Sequence, residues 1–202
     1  MGRVSDARER LIEATIELVW RDSYGTVSVD AICERSGVKK GSFYHFFKSK
    51  DDLIIAALES HWATRKPILD QLFSPTVPPL ERLRNYFSYV YTRQLELKSQ
   101  TGHFPGCFYS AVGMGCGRDN PAIAKKVQDL LSIYEKYYER ALKDAVKSGL
   151  RIDDIAGKSK ALFAFMEGVL TQARIQDDAE LIRNLSTSAF RFLGVGVLKK
   201  VA

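Results

Sequence analysis

Between Lys39 and Lys50 the chain places Lys39, Lys40, Ser42, Tyr44, His45, Lys48 and Lys50 within twelve positions. Each of these side chains carries an N–H or O–H. From Arg35 to Lys50 there are five basic residues and no acidic one. Ammonium groups and hydroxyls so grouped hold anions, and the polyanion that rewards a one-sided basic helix is DNA. Charge alone also fits a solvated helix face. The neighbouring turn and the exposed Ser, Tyr and His favour nucleic acid.

The surrounding residues supply the frame. Val29, Ile32 and Cys33 repeat at i, i+3 and i+4, the spacing of one helix face. Ser28 precedes them and suits an N-cap, and Ser36-Gly37 ends the run where glycine can turn left-handed. Val38 packs inward, and a second helix is predicted from about Lys40 to Phe47, with Phe43, Phe46 and Phe47 inside. Lys39, Lys40, Ser42, Tyr44 and His45 are left towards solvent. Two short helices around a glycine turn make a helix-turn-helix. An earlier helix from about Ser5 to Arg21, with Leu11, Ala14, Ile16, Leu18 and Val19 on its apolar face, braces the pair.

The run GVKKGSFYHFFKSKDDL, residues 37–53, closely resembles the recognition region of the TetR family of bacterial transcriptional repressors. With Gly25-Thr26-Val27-Ser28-Val29 and the preceding helix, the resemblance covers about the first 60 residues. It implies an all-α homodimer whose larger C-terminal domain binds a small molecule. It also implies DNA-contacting roles for Lys40, Ser42, Tyr44, His45 and Lys50. The helix that begins near Lys50 then joins the two domains, and ligand binding changes its tilt. One branch of the family, which responds to electrophiles through cysteine, resembles the Gly-Cys-aromatic run at Gly106-Cys107-Phe108.

Phosphate contacts are expected from Lys48, Lys50 and the Tyr44 hydroxyl, with Ser28 adding a hydroxyl or backbone contact. Lys39, Lys40, Ser42 and His45 are expected in the major groove, where lysine donates to guanine and serine to several bases. Gly41, without a side chain, lets backbone and DNA approach closely. One such helix per subunit addresses a palindromic duplex.

The 202 residues divide into an expected helix-turn-helix domain, 1–48, and a helical ligand-binding and dimerisation domain, 49–202. Apolar residues make up 46% of the chain and the net charge is +6, which suits an ordinary globular chain with an anionic partner. Charges among the first ten residues interrupt any signal peptide, and no apolar run is long enough to span a membrane, so a cytoplasmic protein is expected. Cys33, Cys107 and Cys116 are too few and too irregular for a disulfide framework or zinc site. Neither cofactor nor metal is expected. The chain has no phosphate loop, zinc motif or nucleophile elbow, which argues against an enzyme.

Further helices are expected from Lys50 to about Lys66, where Pro67 disturbs the next turn, and from about Leu80 to Lys98. Others run from Cys107 to about Gly113, Pro121 to Lys147, Asp153 or Asp154 to Ile175, and Asp177-Asp178 to Gly194. Phe87, Tyr91, Phe104, Cys107, Phe108, Met114, Tyr134, Tyr138, Phe163 and Met166 are the candidates to line a ligand site. Each on its own fits plain core packing. A buried tyrosine hydroxyl, however, needs a partner. Glu167 stands alone in an apolar stretch and suits a cationic or hydrogen-bonding ligand, or the surface. Ala161, Ala164, Phe165, Gly168, Leu185, Ala189 and Phe192 are the expected faces of a two-fold, four-helix dimer interface. Cys107, with His103 near it in sequence, is an alternative electrophile or redox sensor, or more distantly the nucleophile of a small Cys-dependent enzyme, and Cys107 and Cys116 otherwise pack as small hydrophobes.

Overall fold

The computed structural model describes residues 2–116 and 120–195, and the side chains of residues 6–116 and 120–195. Ten helices stand among them: α1 (Gly2–Asp22), α2 (Val29–Ser36), α3 (Lys40–Phe46), α4 (Lys50–Leu72), α5 (Pro79–Thr101), α6 (Phe108–Cys116), α7 (Pro121–Lys147), α8 (Ile155–Gln176), α9 (Ala179–Arg183) and α10 (Leu185–Phe192). No strand occurs among the described residues.

Packing groups the chain into two compact units, Met1–Lys66 with Phe108–Leu131, and Pro67–Cys107 with Ser132–Ala202. This grouping differs from a break at residue 48. In the first unit Leu53, Ile54, Ala57 and Leu58 of α4 are as fully buried as Leu11 and Val19 of α1, Ile32 of α2 and Phe43 of α3. A three-helix head is too small to bury its own apolar faces, so α4 and α6 complete its core.

α6 packs on α1. The Trp20 ring meets His61 edge-on at 5.5 Å and Phe108 at 5.8 Å. His61 is buried in α4, with Nδ1 3.0 Å from the Tyr109 hydroxyl. Gly115 allows this approach, because a Cβ there would stand 3.0 Å from Tyr24 Cβ and 3.1 Å from the Tyr24 backbone nitrogen. Arg10 donates to the carbonyl of Ser36 at the end of α2, and Arg35 pairs with Glu17 of α1.

In the second unit, rings from α5, α7 and α8 form the core. Tyr138 lies 6.1 Å from Phe87, 5.8 Å from Tyr86 and 5.6 Å from Phe163. Arg82 is buried and ties three segments: Nε donates to Val77 O, Nη2 to Pro75 O, and Nη1 to Asp144 Oδ2 at 2.7 Å. The Phe104-Pro105-Gly106 loop is buried, so its polar backbone needs internal partners. Gln94 supplies them in both directions, donating to Gly106 O and accepting from Gly106 N, while Arg174 donates to Pro105 O.

Several boundaries differ from expectation. α4 continues past Pro67 to Leu72, because burial of Leu69 and Phe73 outweighs the one backbone bond that proline removes. α6 starts at Phe108 and extends to Cys116, so Cys107 precedes the helix. The last helix is broken at Asn184, which closes α9 and opens α10. Phe46 is only half-buried, unlike Phe43 and Phe47.

Arg82 is buried and Asp144 partly so, and removing the arginine strands a carboxylate and two loop carbonyls, at a cost towards the lower end of the about 3–5 kcal/mol of a buried pair. Arg82→Met is therefore expected to lower the urea midpoint of unfolding strongly. Hydrogen bonding to Arg82 holds the Asp144 carboxyl below its usual value. Its contribution is then present above the unfolded carboxylate range, near about 4, and is lost as pH falls through the lower folded value. The same pH titration of an Asp144→Asn variant should lack that acid-side loss.

Candidate functional site

The helix-turn-helix is built by local rules and locked by two aromatic rings. Ser28 Oγ accepts from Ala31 N at 3.1 Å and starts α2. Gly37 ends it with φ of 64°, and its N–H reaches Glu34 O while Val38 N reaches Cys33 O. Only glycine takes this left-handed geometry without a steric penalty. Phe43 and Phe47 then anchor α3 from below, and the Arg8 guanidinium lies 5.4 Å from the Phe47 ring centre. Burying one phenyl ring contributes about 1.5–3 kcal/mol, so the two hold this seven-residue helix firmly.

The opposite face is open. Lys39, Gly41, Ser42, His45 and Lys48 are exposed, and Tyr44 is 55% exposed, an unusual state for so large a ring. The Tyr44 ring rests edge-on against Phe43 at 5.0 Å, which fixes its direction. Lys40 is exposed as well, but its Nζ lies 2.7 Å from Asp30 Oδ1 of α2. A surface pair of this kind contributes little, so Lys40 can exchange Asp30 for another acceptor.

Lys50, expected to hold a phosphate, is engaged within the head. Its Nζ donates to Tyr24 O and to Val27 O, both at 3.1 Å, and lies 4.1 Å from the centre of the Tyr24 ring. Burial lowers its affinity for the proton, and the adjacent Asp51 partly offsets this. The Tyr24 hydroxyl donates to Asp51 Oδ1 at 2.7 Å, and burial followed by that bond pushes the phenol well up. Among the described residues no group of three or more His, Cys, Asp or Glu side chains could hold a metal ion.

A sequence profile described as "Bacterial regulatory proteins, tetR family" matches residues 11–57, the stretch that builds this head. The chain is 28% identical over 174 residues to the transcriptional regulator AcuR of Cereibacter sphaeroides, spanning 84% of this chain and 77% of that protein. The fold matches the regulatory protein TetR of Rhodobacter sphaeroides with a TM-score of 0.82 and 24% identity, covering 92% of this chain and 98% of that one. It also matches the reduced form of Escherichia coli NemR, with a TM-score of 0.80 and 22% identity over 96% of this chain and 100% of that one.

The chain carries the helix-turn-helix head of the TetR family at residues 11–57. It is a DNA-binding transcriptional regulator.

The expected effector residues of this chain do not form one group. Phe87, Tyr134, Tyr138 and Phe163 meet in the second unit, and Met166 is buried one turn beyond Phe163 on α8. Cys107 acts electrostatically on both Tyr86 and Tyr138, as does Glu167. Burial above all holds both phenols well above their ordinary range. Phe104 is separate, buried in its loop with the Lys98 ammonium over its face. Tyr91 is half-buried and its hydroxyl accepts from Arg183 Nε. Phe108 joins the first unit, against Trp20 and His61. Met114 is 68% exposed on α6, because the side of that helix facing α1 is carried by Phe108, Tyr109 and Val112.

The expected dimer residues also divide. Ala161, Ala164 and Gly168 form an exposed small-residue stripe on α8, and Phe165 stacks on the exposed Phe192 of α10 at 6.3 Å. Leu185 and Ala189 are buried in the core of their own unit and are not on that face. Their place follows from the break at Asn184, which turns α10 back onto α8 and α5. His103 Nδ1 lies 3.1 Å from Thr101 O. Cys116 is buried, and burial pushes its thiol up, away from the reactive thiolate.

Sequence reading missed His61 with Tyr109, Tyr24 with Asp51 and Lys40 with Asp30. Lys40 and Asp30 stand on neighbouring short helices, where the opposite charges were visible but their pairing was not, whereas Tyr24 and Asp51 are 27 positions apart.

Gly41 offers a clean separation of fold from binding. A Cβ added there meets no heavy atom within 4 Å, and replacing glycine by alanine in a helix stabilises by up to about 1 kcal/mol. Gly41→Ala should raise the melting temperature slightly yet weaken operator affinity. Unchanged affinity in an anisotropy titration would remove the close-approach role.

Proposed function

We propose that this chain is a homodimeric repressor whose α3 enters the major groove of a palindromic operator and leaves it when a small molecule binds the second unit. The observation that carries the DNA half is the open face of α3: donors on one side, Phe43 and Phe47 locked on the other. Lys39, Lys40, Ser42 and His45 read base edges, while Lys48, the Tyr44 hydroxyl and Ser28 hold phosphates. The exposed Ala161, Ala164 and Gly168 stripe, with Phe165 and Phe192, meets its two-fold copy. Small residues there let helix backbones approach closely.

The effector half rests on Tyr138. Its hydroxyl is fully buried and has no hydrogen-bond partner among the described residues. An orphaned hydroxyl costs about 1–3 kcal/mol, and a ligand bearing a complementary polar atom recovers that cost on binding. Phe87, Tyr134, Phe163 and Met166 supply the apolar surround, which suits a small, partly apolar molecule with one hydrogen-bonding group. Release follows from linkage: a ligand that prefers the non-DNA conformation weakens DNA binding by that difference in affinity.

The regulator reading is tested by fluorescence anisotropy on the duplex upstream of the chain's own gene, beside a scrambled duplex at the same salt. Sequence-preferring binding is expected, and Tyr44→Ala should weaken it about tenfold or more, the loss of a charge-assisted phosphate bond and its packing. Equal binding to both duplexes would refute a specific operator there. For the effector half, Tyr138→Phe is expected to leave stability equal or higher, because it deletes an unpartnered hydroxyl. The same change should reduce ligand-induced release. A marked fall in melting temperature would mean that the hydroxyl is structurally bonded and would undo this assignment.

A further inference from the structure

We infer that Lys50 is a positioning residue for DNA recognition, holding the α1–α2 loop in place, and is not itself a phosphate ligand. The inference rests on the regulator reading but not on a particular operator. An ammonium has three N–H donors and no acceptor. Two of them are taken by Tyr24 O and Val27 O at 3.1 Å, and the ammonium lies over the Tyr24 ring, 4.1 Å from its centre. At most one donor remains, so a phosphate could take the ammonium fully only by breaking this set.

The carbonyls need that ammonium. Among the described residues no loop N–H donates to Tyr24 O or Val27 O. The loop is otherwise held by Thr26 Oγ1 on Asp22 O and Ser23 O, and Ser23 itself sits at φ of 88°, a strained value for serine. Residue 28 follows directly and caps α2, so the position of the loop sets where α2 begins. The Tyr24 hydroxyl closes the arrangement from the other side through Asp51.

The position of Lys50 makes the same point. It is the first residue of α4, after Ser49, whose Oγ accepts from Asp52 N. A cation at a helix N-terminus opposes the helix dipole. Asp51 next to it and the two carbonyls across from it compensate that repulsion. Lys48 contrasts with it: it is exposed and outside any helix, free to track a phosphate.

Salt dependence separates the two roles. Each phosphate contact adds about 0.9 to the slope of log affinity against log salt. Anisotropy titrations on the own-gene duplex at several potassium chloride concentrations would compare the wild type with Lys48→Met, Lys50→Met and Lys50→Arg. Lys50→Met should weaken binding about tenfold, the scale of charge-assisted bonds, with full stoichiometry and an unchanged slope. Lys50→Arg should recover much of the loss, since a guanidinium also donates to two carbonyls. Lys48→Met should lower the slope by about 0.9 per subunit. Amide exchange without DNA adds an independent arm: residues 24–31 should exchange faster in Lys50→Met. A slope that falls in Lys50→Met as it does in Lys48→Met, or exchange that stays at the wild-type rate, would overturn the inference. Absence of any preference for the own-gene duplex would refute that operator, while the exchange comparison would still decide the role of Lys50.

Discussion

A single ammonium group joins two segments of the DNA-binding head. Lys50 opens α4, and its bonds to Tyr24 O and Val27 O fix the loop from which α2 starts. α2 in turn carries the glycine turn that sets α3. The start of the connecting helix and the start of the helix-turn-helix are therefore one mechanical element. A movement of α4 at this end cannot leave the loop undisturbed, because the ammonium would drag or lose two carbonyl partners.

The aromatic residues divide the remaining work. Phe43 and Phe47 hold α3 down so that Tyr44 can stand in solvent. Trp20, His61, Phe108 and Tyr109 seat α6 against α1 and α4 within the same unit. A second set around Tyr138 packs the other unit and leaves the Tyr138 hydroxyl without a hydrogen-bond partner among the described residues. Packing alone is served better by phenylalanine at that position, since a buried polar group without a partner destabilises. Retaining the hydroxyl is the pattern expected where a site is tuned for a ligand at some expense of stability.

Charge is distributed with the same economy. Arg82 is buried against Asp144 and two loop carbonyls, and serves only the fold. The lysines on and beside α3 are exposed, with Lys40 resting on Asp30. Exposed pairs break readily while buried ones do not. The surface lysines are therefore available for a polyanion, and the buried arginine is not.

Local chemistry determined what could be read from the amino-acid order: the helical class, the Ser28 cap, the Gly37 turn, the inward Phe43 and the outward Tyr44. Each depends on residues within one or two helical turns, where spacing and conformational preference act directly. The TetR-type run at residues 37–53 was equally legible, because a recognition helix keeps its inner and outer faces within one short segment. Tertiary structure decided the rest. Lys48 and Lys50 look alike in sequence, but only one of them lies within reach of two loop carbonyls contributed from more than twenty residues away. Leu185 and Ala189 carry the same apolar spacing whether they face a partner or their own core, and the break at Asn184 turned them inward. Met114 and Phe108 share a helix, yet α1 covers one and leaves the other in water. Apolar periodicity says that a face will be buried; which surface buries it is settled by long-range packing, and that leaves no local mark in the sequence.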